Sequence, residues 1–142
     1  MKLALIVDDE PLDREVASQA LDRAGIGTLE ADNYESAVRV FQENQDAIDL
    51  LLVDVSLPAK NGVELAKELV RLKPALRLLF VSGHVGSEVI RFYGMNTSDA
   101  HFLQKPFPVE TLLDRVREIL KSTGPVPWAV PDQDEKSNSA SK

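Results

Sequence analysis

Five side chains that could do chemistry follow short apolar runs along the sequence. Asp8 and Asp9 come directly after the first run, and Asp54 ends a later one. Ser82 ends another run, and Lys105 follows the last. Three carboxylates held together repel one another, and a hard cation such as Mg²⁺ would relieve that repulsion. A carboxylate can also be the nucleophile that takes a phosphoryl group, whose charge a lysine and a hydroxyl can then stabilise.

Each of these residues has a plainer interpretation when it is taken alone. Acidic residues near a helix start are favourable there without any metal. Ser82 would suit a turn, and Lys105 would suit a solvated surface. The functional interpretation therefore depends on whether the fold brings the five side chains to one place.

The elements that must position these side chains alternate along the chain. Short apolar runs predict five strands, at residues 3–7, 27–31, 50–53, 78–81 and 102–104. Amphipathic stretches between and after them predict five helices. A short fourth helix is predicted over residues 87–93, and Pro108 opens the last one.

Two details of these helices follow from residue spacing. An apolar face of the first helix is predicted to carry Val16, Ala17, Ala20, Leu21 and Ala24. The second helix has a candidate capping pair in Asp32 and Glu35, which have the spacing of a capping box.

The alternation of strands and helices predicts an α/β fold, a doubly wound five-stranded parallel sheet with helices on both faces. For the strand order 2-1-3-4-5, the switch point lies between strands one and three, and ligands bind there at the carboxyl ends of the strands. Asp8, Asp9 and Asp54 would meet at that point. Ser82 and Lys105 would line the adjoining edge. This convergence favours the functional interpretation.

The amino-acid composition limits which other classes of function are possible. The 142 residues are 44% hydrophobic, which suits one domain, predicted over residues 1–122, with a disordered Pro- and Ser-rich tail or linker over 123–142. A net charge of −7 argues against direct nucleic-acid contact, and the absence of cysteine excludes disulfides and thiol chemistry. No apolar segment suits a membrane span or a signal peptide, so a cytoplasmic location without membrane contact is predicted.

The same residues resemble a known family. Over about residues 3–121 the chain resembles the receiver domains of two-component response regulators. Four stretches carry the resemblance: Val7-Asp8-Asp9-Glu10, Asp54-Val55-Ser56-Leu57-Pro58 with Gly62, Val81-Ser82-Gly83, and Lys105-Pro106-Phe107. The sequence over residues 102–107 is especially similar to that of receivers attached to hybrid histidine kinases. The resemblance implies a flavodoxin-like fold.

The resemblance also implies a chemistry. Asp54 would accept a phosphoryl group from a phosphohistidine on a sensor histidine kinase or a histidine phosphotransfer protein. Asp8, Asp9 and Asp54 would hold Mg²⁺ together with the backbone carbonyl of Ser56. Lys105 would contact the phosphoryl group.

Further roles are implied for the neighbouring residues. Ser82 and Phe102 would form a switch pair, in which the hydroxyl moves toward the phosphate and the ring repacks inward. Phe102 stands where the family more commonly has Tyr, and Ser82 where many members have Thr.

The loops around the site would tune the reaction. Ser56, Gly83 and His84 would set phosphoryl access and dephosphorylation. The peptide bond between Lys105 and Pro106 would be cis.

Two other functions compete with this prediction. A phosphatase of the haloacid dehalogenase type also uses an Asp nucleophile, Mg²⁺, a hydroxyl and a Lys, but it carries a second acid where this sequence has Ser56. A degenerate receiver would bind partners without phosphorylation, which the intact set of five site residues argues against. The sequence thus predicts a signalling switch that is not an enzyme beyond its own phosphorylation and slow dephosphorylation. Homodimer formation is left open.

Overall fold

The computed structural model describes residues 2–57, 62–83 and 101–121. Its elements, in chain order, are β1 (Leu3–Val7), α1 (Pro11–Arg23), β2 (Gly27–Ala31), α2 (Tyr34–Glu43), β3 (Leu50–Asp54), α3 (Gly62–Leu72), β4 (Arg77–Ser82), β5 (Phe102–Gln104) and α4 (Val109–Lys121). All five predicted strands are confirmed to within one residue at either end. The helix predicted over residues 87–93 and the tail predicted over 123–142 lie outside the described residues.

The five strands form one parallel sheet in the predicted order, β2-β1-β3-β4-β5. Val7 of β1 lies beside Val53 of β3, and Ser82 of β4 lies beside Gln104 of β5. Because the strands run in the same direction, the residues that follow these pairs emerge at one edge of the sheet. That edge carries all five candidate site residues.

Successive strand residues serve two separate cores, because side chains along a strand point alternately to the two faces of the sheet. Val7 and Val53 pack with Phe41 on the face covered by α2 and α3. Ile6 and Leu52 pack with α1 and α4 on the other face. The fold is therefore three-layered, with helices on both faces as predicted, and the central strands β1, β3 and β4 are mostly apolar since both faces of the sheet are covered.

The predicted apolar face of α1 is wrong at one position. Ala17, Ala20 and Leu21 are buried, but Val16 is 52% exposed. The helix contacts the sheet along a narrow strip, and Val16 lies at its margin. Leu12, one turn earlier, is also exposed, so α1 presents two apolar side chains to solvent.

The predicted cap of α2 is also wrong. Asn33, and not Asp32, precedes the first helical residue, and its side-chain oxygen accepts the backbone N–H of Ser36 at 2.8 Å. Asp32 instead accepts the side-chain amide of Asn33 at 2.8 Å. Asn33 is the residue with extended dihedral angles directly before Tyr34, which is the geometry that an N-cap requires.

Candidate functional site

Three carboxylates converge where β1 and β3 end. Asp8 directly follows β1, Asp54 is the last residue of β3, and these two strands are neighbours. Oxygen atoms of Asp8, Asp9 and Asp54 lie within 4.8 Å of one another. Asp8 and Asp54 are each only 5% exposed, whereas Asp9 is exposed. Hard oxygen donors grouped in this way fit Mg²⁺, so the three predicted carboxylate ligands are suited to that ion.

The backbone after each strand fixes the orientation of the buried carboxylates. Oδ1 of Asp8 accepts the N–H of Glu10 at 2.9 Å, and Oδ1 of Asp54 accepts the N–H of Ser56 at 2.8 Å. In both cases the Asp side chain accepts a hydrogen bond from the backbone N–H two residues later, a turn that Asp commonly forms. In both residues the other oxygen, Oδ2, is directed toward Lys105. The predicted role of the Ser56 carbonyl as a metal ligand stays a prediction.

Lys105 connects the carboxylates. Its backbone N–H donates to the carbonyl of Ser82 at 2.7 Å, which extends the pairing of β4 and β5, and its bond to Pro106 is cis as predicted. The ammonium group lies 2.8 Å from Oδ2 of Asp54 and 3.0 Å from Oδ2 of Asp8. The lysine predicted to sit beside the carboxylates is therefore in direct contact with two of them.

Asp13 is a third partner of this ammonium group, and no sequence pattern predicted it. Its Oδ2 lies 2.8 Å from Nζ of Lys105. Asp13 lies in the first turn of α1, where an acid is favourable without any further role. Its position in the sequence therefore carries no signal of this contact, which depends on how α1 packs beside the loop after β5.

The surroundings of the site affect the pKa values of Asp8 and Lys105 in opposite senses for their charges. Burial raises the pKa of Asp8, and the N–H of Glu10 and the ammonium of Lys105 offset that effect only in part, with the charge of Asp54 raising it further. Burial acts to lower the pKa of Lys105, but hydrogen bonds to Asp13, Asp54 and Asp8 together outweigh it and raise that pKa. Lys105 is thus firmly charged, while the fold disfavours the charged form of Asp8.

Replacing Asp8 by Asn is expected to raise the free energy of unfolding of the metal-free protein at neutral pH. Because the pKa of Asp8 is raised in the folded state, the folded protein binds a proton more tightly than the unfolded chain. The stability of the wild type relative to Asp8→Asn should therefore fall as the pH rises from the ordinary value of 3.8 through the raised pKa. Urea unfolding in a chelator, across this range and up to neutral pH, measures the effect.

The control for this prediction is Asp22→Asn, which removes the same charge from an exposed position on α1. It should leave the pH dependence unchanged. Added Mg²⁺ is expected to stabilise the wild type and to have much less effect on Asp8→Asn. An Asp8→Asn protein that is less stable than the wild type at neutral pH in chelator would contradict the expectation.

Ser82 and Phe102, the predicted switch pair, lie on neighbouring strands. Ser82 is fully buried at the end of β4, and Phe102 opens β5 opposite Phe80. Phe102 is half-buried against the core beneath α2 and α3, and its carbonyl accepts the guanidinium of Arg115 at 2.7 Å. Since β4 residues alternate between faces, Ser82 shares the face of Phe80, the residue that pairs with Phe102. Of the predicted tuning residues, Gly83 is exposed and His84 lies outside the described residues.

A cavity of about 360 Å³ opens beside the carboxylates, between α1 and the loop that leads into α4. Its walls include the apolar side chains of Ile6 and Leu52, together with the polar groups of Asp13 and Lys105. Val16, which is exposed, also lines it. The cavity is thus apolar on one side and charged on the other.

The fold and the site define a doubly wound α/β domain with a carboxylate–lysine cluster at the switch point of its sheet. The profile of the response regulator receiver domain family matches residues 4–117. The chain belongs to that family, as the resemblance implied.

Relatives in this family include both regulators and kinases. The response regulator receiver protein CpdR of Brucella abortus is 30% identical, over 84% of this chain and 98% of its own length. The phosphate regulon transcriptional regulatory protein PhoB of Pseudomonas aeruginosa is 35% identical over 87% of this chain, which spans 54% of PhoB. The autoinducer 1 sensor kinase/phosphatase LuxN of Vibrio campbellii is 33% identical over 82% of this chain and 13% of LuxN. The chain thus spans about half the length of PhoB and a small part of LuxN.

Solved structures agree with the family and the fold. The receiver domain of the hybrid histidine kinase CckA is 32% identical, with a TM-score of 0.69 over 83% of this chain and 98% of that one. The non-phosphorylated HemR receiver domain of Leptospira biflexa is 27% identical, with a TM-score of 0.74 over 88% of this chain and 98% of that one. Receivers of hybrid kinases are therefore among the proteins similar to this chain, as the sequence over residues 102–107 predicted.

Within the described ranges, no helix combines the length and the apolar character that a membrane crossing requires. The predicted cytoplasmic location, and the predicted lack of contact with nucleic acid, stay predictions.

Proposed function

We propose that the chain is a phosphorylation-dependent signalling switch whose Asp54 accepts a phosphoryl group from a phosphohistidine on a partner protein. One observation carries the proposal. The carboxylate of Asp54 is buried at the switch point of the sheet, beside Asp8 and Asp9 and in contact with the ammonium of Lys105. This arrangement combines a nucleophile, a cation site and a fixed positive charge.

The proposed reaction forms a bond between a carboxylate oxygen of Asp54 and phosphorus, and breaks the bond between phosphorus and the partner's imidazole nitrogen, which keeps the electron pair. Oδ1 of Asp54 is held by the N–H of Ser56, and Oδ2 lies beside Lys105. Lys105 is therefore placed to move from the carboxylate to a phosphoryl oxygen. Mg²⁺, when bound by Asp8, Asp9 and Asp54, supplies further positive charge to the carboxylates and the phosphoryl group.

The chemistry of the chain itself would be limited to this uptake and to slow hydrolysis, in which water attacks phosphorus and the carboxylate of Asp54 is restored. We therefore propose a switch and not an enzyme that turns over an external substrate. Membership of the receiver family argues against the phosphatase of the haloacid dehalogenase type.

The switch itself is proposed to involve Ser82 and Phe102. The buried Ser82 ends the strand next to Asp54, and Phe102 packs only partly against the core. A hydroxyl drawn toward a phosphoryl group would change the packing space beside that ring. Such a shift changes the surface around β5 while the fold is kept.

The proposed partner is a sensor histidine kinase or a histidine phosphotransfer protein. Such a partner must bring its imidazole to the exposed edge above Asp54. Leu12, Val16 and Val109 are exposed large hydrophobic residues on the two elements that flank this edge, α1 and α4. Exposed apolar side chains around a functional site are typical of protein contact surfaces. Homodimer formation stays a prediction.

Incubation with Mg²⁺ and acetyl phosphate, followed by intact mass measurement, tests the proposed function. The wild type should gain one phosphoryl group. The gain should be absent from Asp54→Asn, which keeps the size of the side chain but lacks the nucleophile, and from a sample that contains a chelator. A wild type that binds Mg²⁺ but is labelled neither by acetyl phosphate nor by a panel of phosphorylated histidine donors would overturn the proposal.

A further inference from the structure

The carboxylate of Asp13 is a partner of Lys105 that the proposed phosphoryl transfer to Asp54 does not require. The distance from Nζ to Oδ2 of Asp13 is 2.8 Å, the same as the distance to Oδ2 of Asp54. Asp13 is not a member of the group of three carboxylates that could share a metal ion. Its side chain is 49% exposed, so it lies at the mouth of the site, while Asp8 and Asp54 lie inside.

The three contacts use all the donors of the ammonium group. A lysine ammonium has three N–H donors and no acceptor. Asp8, Asp13 and Asp54 each accept one hydrogen bond from it. Lys105 can therefore approach an arriving phosphoryl group only by weakening or exchanging one of these hydrogen bonds.

Asp13 also places a negative charge close to the reacting oxygen. Its Oδ2 and that of Asp54 are each 2.8 Å from the same nitrogen, so they are at most twice that distance apart. A phosphodonor is itself an anion and must enter through this mouth. The charge of Asp13 disfavours that entry, and its hydrogen bond draws Lys105 away from the incoming oxygens.

We propose that Asp13 is a positioning residue that restrains Lys105 and slows phosphoryl uptake by Asp54. The inference rests on the proposed function and adds a regulatory element to that site. Both physical effects act in the same direction, because each reduces the positive charge that an anionic donor meets. Asp13 thus sets how reactive the free site is toward anionic small donors.

The test compares the rates of labelling by acetyl phosphate, with saturating Mg²⁺, for the wild type, Asp13→Asn, Asp13→Glu and Asp22→Asn. Asp13→Asn should be labelled about three- to tenfold faster at low ionic strength. This is the effect expected from removing a unit charge that lies roughly 6 Å from an incoming anion in a partly exposed site. The gain should shrink as salt is added, because salt screens exposed charges. Asp13→Glu, which keeps the charge, should stay near the wild-type rate.

Asp22→Asn is the matched control, since it removes the same charge from the same helix nine positions away, at an exposed residue. It should leave the rate unchanged. The side-chain NH₃⁺ signal of Lys105 in nitrogen-resolved NMR gives a second measurement that needs no phosphorylation. Asp13→Asn should shift and broaden that signal, whereas Asp22→Asn should not.

The outcomes separate the two proposals. If the wild type is labelled and Asp13→Asn is labelled no faster, the inference about Asp13 is wrong and the proposed function stands. If Asp13→Glu is accelerated as much as Asp13→Asn, the charge of Asp13 is not the cause, and the inference also fails. If neither the wild type nor Asp13→Asn is labelled by any donor, both proposals are overturned.

Discussion

Replacing Lys105 by Met is expected to slow phosphoryl uptake at Asp54 on the order of a hundredfold, the effect typical of removing one preorganised charge-stabilising donor. The ammonium group lies 2.8 Å from Oδ2 of Asp54 and also contacts Asp8 and Asp13. Met has a similar length and shape but no charge. The proposed nucleophile and the three predicted metal-binding carboxylates remain, so the loss reports on the phosphoryl contact.

The same substitution should destabilise the metal-free protein. Two of the carboxylates that Lys105 contacts, those of Asp8 and Asp54, are almost fully buried. Removing one partner of buried ion pairs leaves charges without compensation, and we expect a decrease of about 3 kcal/mol in the free energy of unfolding, at the lower end of the usual cost because Lys105 is itself partly exposed. Mg²⁺ should restore much of the lost stability, because it can neutralise the same carboxylates.

Labelling by acetyl phosphate and urea unfolding, each with and without Mg²⁺, measure both parts of this prediction. Lys67→Met is the matched control. Lys67 lies on α3, and within the described part of the chain it has no hydrogen bond or ion pair. A Lys105→Met protein that is labelled at the wild-type rate would show that Lys105 does not contact the phosphoryl group in the reaction.

Replacing Gly62 by Ala is expected to lower the free energy of unfolding by about 3 kcal/mol, at the upper end of the usual cost of overpacking a core. α3 begins at Gly62, which is pressed against the end of β3. A methyl group at Gly62 would lie 2.8 Å from Cγ2 of Val53 and 2.9 Å from the carbonyl carbon of Asp54, and closer still to the carbonyl oxygen of Asp54. These are largely backbone contacts of a buried strand, so α3 and β3 must separate to relieve them.

Because β3 carries the proposed nucleophile, this separation should also displace the carboxylate of Asp54 and slow labelling. Urea unfolding and the rate of labelling by acetyl phosphate measure the two effects. Gly83→Ala is the control for stability, since no atom of the described residues would lie within 4 Å of its added methyl group. That variant should stay within about 0.5 kcal/mol of the wild type. Equal stabilities of Gly62→Ala and Gly83→Ala would contradict the prediction.

Local sequence was sufficient for the strands and for most of the site. β1 is an uninterrupted apolar run and β3 is apolar up to Asp54, which is the pattern of strands covered on both faces. Asp8, Asp54 and Lys105 could be placed at one edge because each directly follows or ends a strand, and parallel strands share their carboxyl edge. These features could be predicted because they depend only on the order of the elements and on the spacing of apolar residues within each element.

The sequence alone could not distinguish between neighbouring residues that are equally able to fill the same structural role. Asp32 and Asn33 can both cap a helix, and only the backbone dihedral angles give that role to Asn33. Val16 belongs to the apolar pattern of α1, but the width of the buried stripe depends on the neighbouring elements. The structure leaves Val16 exposed beside the site, where it becomes part of the proposed partner surface.

Sequence by itself thus determined the fold class, the positions of the strands and the predicted set of acids, hydroxyl and lysine. Only the tertiary structure decided that Asp13 joins them. Asp13 and Lys105 are 92 positions apart, and their contact is set by the packing of α1 beside the loop after β5. Periodicity and capping are properties of a few neighbouring residues, whereas a hydrogen bond between distant residues depends on where the folded chain places both of them.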